Sequence, residues 1–395
     1  MYIFLYFIGF FEYYIFLYYM SYFSGKMQQY NPANDKINMM AIDAIIFNRP
    51  SKTIPNMKNH HLTYTTPRNG AIVNSTNPPP TPPTPPPCPP ISLEDIATYI
   101  SGRTSSHWEL NTNTNILACQ TLTIPVGEEL QINSGDSILT LTNNGIIINN
   151  GTITNNSGTI ENYKTINNNG TISNDSNINN YDTIINNGTI NISDSLYNYS
   201  GTITNNNNIT NTASIVNNAS IVNNIGGTIT NDYAEINNLG TIENYSTIYN
   251  NNDSTITNDG TINNYNSGTI TNNATIVNNN DGTITNDDII TNFGTIENHG
   301  TISNTKTFNN DQVFNNYCTG TIKIYTSNGV LMNHYDFTND MSGNIYVYNN
   351  GTLNVDVGSF QNNGNVYTGD PNTCLAGTVT GTLSPNAVIA NTCPP

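Results

Sequence analysis

The side chains that could do chemistry in this 395-residue chain are few and scattered. Between residues 145 and 322 the closest acidic pair is Asp287 and Asp288, and the cations there are Lys164 and Lys306. Glycoside cleavage needs clustered carboxylates, or a calcium site with a strong basic group to stabilise developing charge, and nothing in this spacing converges on either. His299 and His334 stand alone, His60 and His61 fall in an aperiodic stretch, and no Ser or Cys has a base beside it by pattern. The Gly-Gly-x-Gly-x-Asp phrase of calcium β-rolls is absent. A non-enzymatic chain with no catalytic, metal or cofactor site is therefore expected.

Cysteines, sequons and threonine pairs carry the remaining chemical signals. Cys88 sits in a Pro tract, Cys119 before the repeat, and Cys318, Cys374 and Cys393 at or beyond its end. Cys374 and Cys393 occupy matching Asn-Thr-Cys phrases, and a bridge between them would contribute roughly 3 kcal/mol, with two unpaired buried thiols as the alternative. The odd count then leaves Cys88 for an intermolecular bond in an oxidising compartment. Sequons at Asn150, Asn169, Asn187, Asn218, Asn273 and Asn350 are candidate glycosylation sites, with Asn208 and Asn244 also in sequons and several expected to point inward. Thr-x-Thr pairs such as Thr152/Thr154 and Thr228/Thr230 imitate an ice-binding threonine array, but Glu161, Glu243 and Glu297 interrupt the series and argue against that use.

The elements behind these residues follow from one repeated phrase, Gly-Thr-Ile-x-Asn-Asn, which returns an apolar residue about every six positions. The inward series includes Ile153, Ile160, Ile166, Ile172, Ile242, Ile248, Ile256, Ile262, Ile270, Ile276 and Ile284, and continues through Val330, Phe337, Ile345, Leu353, Phe360 and Val366. A helix needs i+3 or i+4 apolar partners, which are missing, whereas a short strand needs only alternation. Ile then points inward, Thr and the residue after Ile point outward, and the following Asn turns inward near a corner. Stacked coil on coil, those Asn side chains can form an amide ladder. The fold class is all-β, a parallel β-solenoid.

Eight-residue steps arrive at Ile229, Ile256, Ile270, Ile284 and Ile322, all even-numbered faces counted from Ile153. That parity favours a two-sided coil of ~12–14 residues over a three-sided coil of ~18–20, and leaves handedness open. A short capping helix opens at Ser92, with Asp95 as its acidic partner, and ends near Gly102. The organisation is a hydrophobic segment at 1–26, a flexible arm at 27–77, a polyproline stalk at 78–90, a cap at 91–145, the solenoid at 146–368 and a C-terminal cap at 369–395.

A net charge of −17, with no Arg after Arg103, excludes a basic face for nucleic acid. About a fifth of the chain is Asn and 9% is charged, too little apolar material for a thick globular core. Residues 1–24 are long enough to span a bilayer, although Glu12 costs about 2.5–3.5 kcal/mol there, and a translated upstream stretch before Met20 or Met27 is the alternative.

The phrase at 151–156, 201–206 and 283–286 resembles the Asn/Thr-rich β-solenoid repeat proteins of large DNA viruses of amoebae. It is also similar to the β-solenoid passenger regions of bacterial surface adhesins. The resemblance covers roughly 145–322 and implies a structural or adhesive role on a virion or cell surface, with surface glycans or coat proteins as partners. A clear secretory signal and an autotransporter barrel are lacking, which places the viral reading ahead. The alternatives are a glycan-binding or carbohydrate-active β-helix and a membrane-anchored spacer through residues 1–24; a homo-oligomer is compatible with each.

Overall fold

A computed structural model describes residues 88–89, 91–100, 106–132, 139–348, 350–355 and 359–368, with the backbone alone of 378–381 and 389–390. The expected membrane segment, arm and most of the Pro-rich stalk lie outside these residues, as do Cys374 and Cys393. Among the described residues, no helix is long and apolar enough to cross a membrane.

Each repeat phrase forms one strand of four residues, or five at Thr228–Asp232 and Thr247–Asn251. Thr152–Asn155, Thr159–Asn162 and Thr165–Asn168 share one burial pattern, with the second and fourth residues buried and the first and third partly exposed. Successive strands are laid on three parallel sheets in turn, so a strand pairs with the third one along. Ile153 pairs with Ile172, Ile160 with Ile178 and Ile166 with Ile184. We number the faces in chain order: face 1 is the 15-stranded sheet, face 2 the 13-stranded sheet and face 3 the 14-stranded sheet. At ~4.8 Å per coil the stack is about 60 Å long.

The coil is therefore three-sided, which corrects the two-sided expectation. The coil stride is 18 residues between Ile166 and Ile184 and 22 between Ile248 and Ile270, where two corners each carry two extra residues. The insertions before Ile229 and Ile270 lie at the corner between faces 3 and 1, that before Ile256 between faces 1 and 2, and those before Ile284 and Ile322 between faces 2 and 3. A corner loop bulges into solvent without shifting strand register, so insertions need not align and their parity carried no information. In a flattened coil the inward corner Asn would face the apolar row of the opposite sheet. A triangular section gives each Asn its own vertex.

All the inward isoleucines named above are buried, and with Phe308, Phe314, Phe337, Ile345, Leu353, Phe360 and Val366 they form one axial core. Val330 is a correction, because Leu331 takes the inward position and Val330 occupies the outward register opposite Thr307. A narrow apolar void of about 20 Å³ follows the axis between Leu196 and Phe308. It ends where Phe308, Phe314 and Phe337 replace Ile, their rings stacked at 5.2 and 4.9 Å.

The N-terminal end is closed by a single turn, α1 (Leu93–Ile96), and then by strand β1 (Ala97–Ile100), not by the helix to Gly102 that the sequence predicts. Asp95 does cap the turn, accepting bonds of 2.8 Å from both the backbone N–H and the hydroxyl of Ser92. Those bonds hold the Asp95 carboxyl below its ordinary pKa. The β-branched and aromatic run Thr98-Tyr99-Ile100 instead pairs antiparallel with β2 (Ser106–Leu110) and covers the open edge of face 1. Cys88 is bonded to Cys119, across 31 residues, so it is not the free thiol the cysteine count implied. The free thiol among the described residues is the exposed Cys318.

Candidate functional surface

The fourth residue of each strand builds the interior polar chemistry. On face 2 the amide of Asn143 donates to Oδ1 of Asn162 at 2.7 Å, Asn162 to Asn180 and Asn180 to Asn198, and the series runs unbroken to Asn362. Face 3 carries a second ladder from Asn149 to Asn304, and face 1 a third from Asn211 to Asn333. These side chains are fully buried, and the second amide hydrogen goes to a backbone carbonyl, as from Asn162 to Thr183 at 2.9 Å. Burial without partners would cost about 1–3 kcal/mol per group, so each ladder Asn depends on its neighbours above and below or on backbone groups that replace them. Among the described residues, two of the three buried side-chain atoms left without a partner are ladder ends: Oδ1 of Asn149, preceded by Ile124, and Nδ2 of Asn362.

Outside, the residue after each ladder Asn forms a second set of rows along the corners, which the sequence reading missed. Between faces 3 and 1, Asn169 donates to Asn150 at 2.9 Å, Asn187 to Asn169, Asn206 to Asn187 and Asn224 to Asn206. The same row continues as stacked Tyr245 and Tyr265, with centroids 4.7 Å apart, then Thr305 bonded to Asp287, then stacked Tyr325 and Tyr348. Glycine permits this crowding. A Cβ on Gly170 would lie 2.0 Å from the carbonyl oxygen of Gly151, and one on Gly188 equally close to that of Gly170.

Between faces 2 and 3, Tyr163, Tyr181 and Tyr199 stack at 4.6 and 5.0 Å. Partial burial in the stack, then the Glu161 charge, raise the Tyr163 phenol above its ordinary pKa. Tyr181 is raised by burial and then by its tyrosine neighbours. The signal was legible as a Tyr recurring 18 residues apart, but it has meaning only once the coil is known to hold 18.

The residues singled out for chemistry are dispersed by the coil. His334 Nδ1 contacts Asp311 Oδ1 at 2.5 Å, and His299 stacks on Tyr317 at 4.3 Å, so neither imidazole is isolated, as sequence spacing implied. Asp287 accepts from Thr305 and Asp288 from the backbone of Ser267, which turns the acidic pair into two separate structural acceptors. A shallow surface depression lined by Asp259, Asn279, Asn280, Asp281 and His299 lies along the corner between faces 2 and 3. Among the described residues, no group of three His, Cys, Asp or Glu could hold a metal.

One cluster of titratable side chains was passed over by the sequence reading. His107, buried in the N-terminal cap, contacts Glu129 at 3.0 Å and Glu109 at 3.3 Å, while Trp108 donates to Glu128. Glu129 also accepts from Thr154 of the next coil, which ties the cap to the stack.

No protein-family model and no curated protein sequence matches this chain. Among solved structures, the TibC-catalysed hyper-glycosylated fragment of TibA, residues 55–350, aligns over 76% of this chain and 97% of that fragment. Its identity is 14% and its TM-score 0.36.

Of the candidate sequons, Asn169, Asn187, Asn218, Asn273 and Asn350 are exposed and Asn150 is half-buried, whereas Asn244 is a buried ladder residue. Asn169, Asn187 and Asn273 use their amides in corner bonds.

Proposed function

We propose that the solenoid is a non-enzymatic rod that acts as a structural or adhesive element on a virion or cell surface. The observation that carries this reading is the use of polar side chains along the axis. Within a ladder each buried Asn bonds to its equivalents above and below, and Asp287, Asp288 and His334 are engaged with neighbouring coils. A chain organised this way offers length, stiffness and a repeated surface, with surface glycans or coat proteins as partners. Immunogold labelling of intact source particles or cells with antibody to residues 145–322 tests it. Label on the outer surface supports the reading, and label confined to the interior refutes it.

A glycan-binding role draws on the Tyr163, Tyr181 and Tyr199 stack beside Glu161. Stacking occupies the ring faces, so a sugar would meet phenol edges and hydroxyls and not open aromatic platforms. Tyr181→Ala should abolish glycan-array binding under this role and leave it unchanged under the first. An anchored spacer is the further alternative, tested by whether residues 1–26 appear in peptides of the native protein. For glycosylation, of the six candidate sequons Asn218 and Asn350 are best placed to be occupied, being exposed and outside the corner bonds. Glycopeptide mapping that finds sugar on Asn169 and Asn187 but not on these two overturns that order.

A further inference from the structure

The three faces differ in charge. Outward strand positions on face 2 include Glu161, Glu235, Glu297 and Asp336, and those on face 3 include Glu243 and Lys323. On face 1, from Thr152–Asn155 to Thr352–Val355, the first and third strand residues are Thr, Ser, Asn, Tyr249, Ile289, Val330 and Met332, and none is charged. Asp232 lies beyond them, at the corner end of its strand. The glutamates that seemed to interrupt the Thr-x-Thr series are therefore on other faces. Face 1 is also in continuous register, with Thr210 opposite Thr230 and Thr230 opposite Tyr249.

We infer that face 1 is a self-association surface and that its partner is a second copy of this chain, packed face to face. In a chain of net charge −17, this is the face whose strand positions bring two copies together without opposed charges. A rigid partner must also match the ~4.8 Å coil repeat over many coils, and a second copy does so by construction. A twofold axis along the strand Thr269–Asn272 lays the Tyr249 strand of one copy over the Ile289 strand of the other, twice, with Tyr249 facing Thr291 and lying diagonal to Ile289, two residues along. Tyr249 and Ile289 are large exposed side chains, at 39% and 38%. Nine overlapping strands then bury roughly 1,100 Å² in total, at the lower end of specific interfaces, so the dimer should be reversible and concentration-dependent.

Sedimentation equilibrium of the full chain, wild type beside Thr271→Glu and Val277→Glu, tests this. Thr271 sits at the proposed axis and Val277 at the equivalent strand position on face 2, where Glu161 and Glu297 are native. We expect wild type and Val277→Glu to dimerise alike and Thr271→Glu to raise the dissociation constant at least tenfold, with circular dichroism unchanged. A monomeric wild type, or equal behaviour of the two variants, overturns the inference; the latter would place association elsewhere in the chain. Thermal hysteresis in the wild type that is lost in Thr271→Glu would make an ice lattice the occupant, and would overturn it as well.

Discussion

Replacing Asn238 with Leu tests the account of the interior ladders. Asn238 is fully buried on face 2, accepts from Asn217 at 2.7 Å and donates to Asn258 at 2.7 Å and to the Thr261 carbonyl at 3.0 Å. Leucine has similar volume but no polar atom, so one Asn217 N–H and the Asn258 Oδ1 lose their partners in a site closed to water. At about 1–3 kcal/mol each, less about 1–2 kcal/mol for the apolar gain, the net loss is about 3 kcal/mol. Ile192 supplies the contrast, because it occupies the same register on face 1 between Asn174 and Asn211. There the Asn174 amide has turned to the carbonyls of Ser176 and Ser195, at 2.7 and 3.0 Å, and Asn211 Oδ1 accepts from the backbone of Ala213. Ile192→Asn would form two bonds worth about 1 kcal/mol each but lose roughly 2 kcal/mol of apolar burial, and should be near neutral. Stacked repeats open locally, so the assay is hydrogen exchange of the flanking strands, read as opening free energy. A loss below about 1 kcal/mol in Asn238→Leu, or a loss in Ile192→Asn as large as in Asn238→Leu, refutes the reasoning.

Gly170→Ala forces a Cβ against the carbonyl of Gly151 and should destabilise the adjoining coils by at least about 2 kcal/mol, measured in the same way. The phenols of Tyr163, Tyr181 and Tyr245 have folded-state pKa values raised above the unfolded value, each by burial first. Their contribution to stability is therefore complete below the ordinary phenol pKa and lost as pH rises through the raised one, which denaturation midpoints beside phenolate absorbance would follow. Equal midpoints across that range would contradict it. Reducing Cys88–Cys119 should destabilise the N-terminal cap by about 3.5 kcal/mol on a loop of 31 residues, seen as faster exchange in Thr114–Ile116 and Thr121–Ile124.

The strand, its alternation and the inward Asn were legible because each is local: Thr-Ile-x-Asn has one sheet-compatible orientation. Coil closure was not, since it depends on which strand returns beside which, and a two-residue insertion such as that before Ile256 alters loop length without touching register. The corner rows were hidden for the same reason, Tyr163 and Tyr181 being neighbours only in a coil of 18. The helix ending near Gly102 failed because Thr98-Tyr99-Ile100 had an open sheet edge to cover. The Cys88–Cys119 bond could not be read from spacing that also fitted other pairings.

Six residues make one face and three faces close a coil, and every ladder, corner row and face depends on that closure. Cysteine pairs test it in a Cys318→Ser background. In the three-sided coil Thr210 lies beside Thr230 on face 1, while Val222 is on face 3 opposite Glu243. Neighbouring strands bring Cα atoms to ~4.8 Å, within disulfide reach. Oxidation should cross-link Thr210→Cys/Thr230→Cys within one chain and leave Thr210→Cys/Val222→Cys reduced. Cross-linking of the second pair and not the first would mean a two-sided coil and would contradict the account.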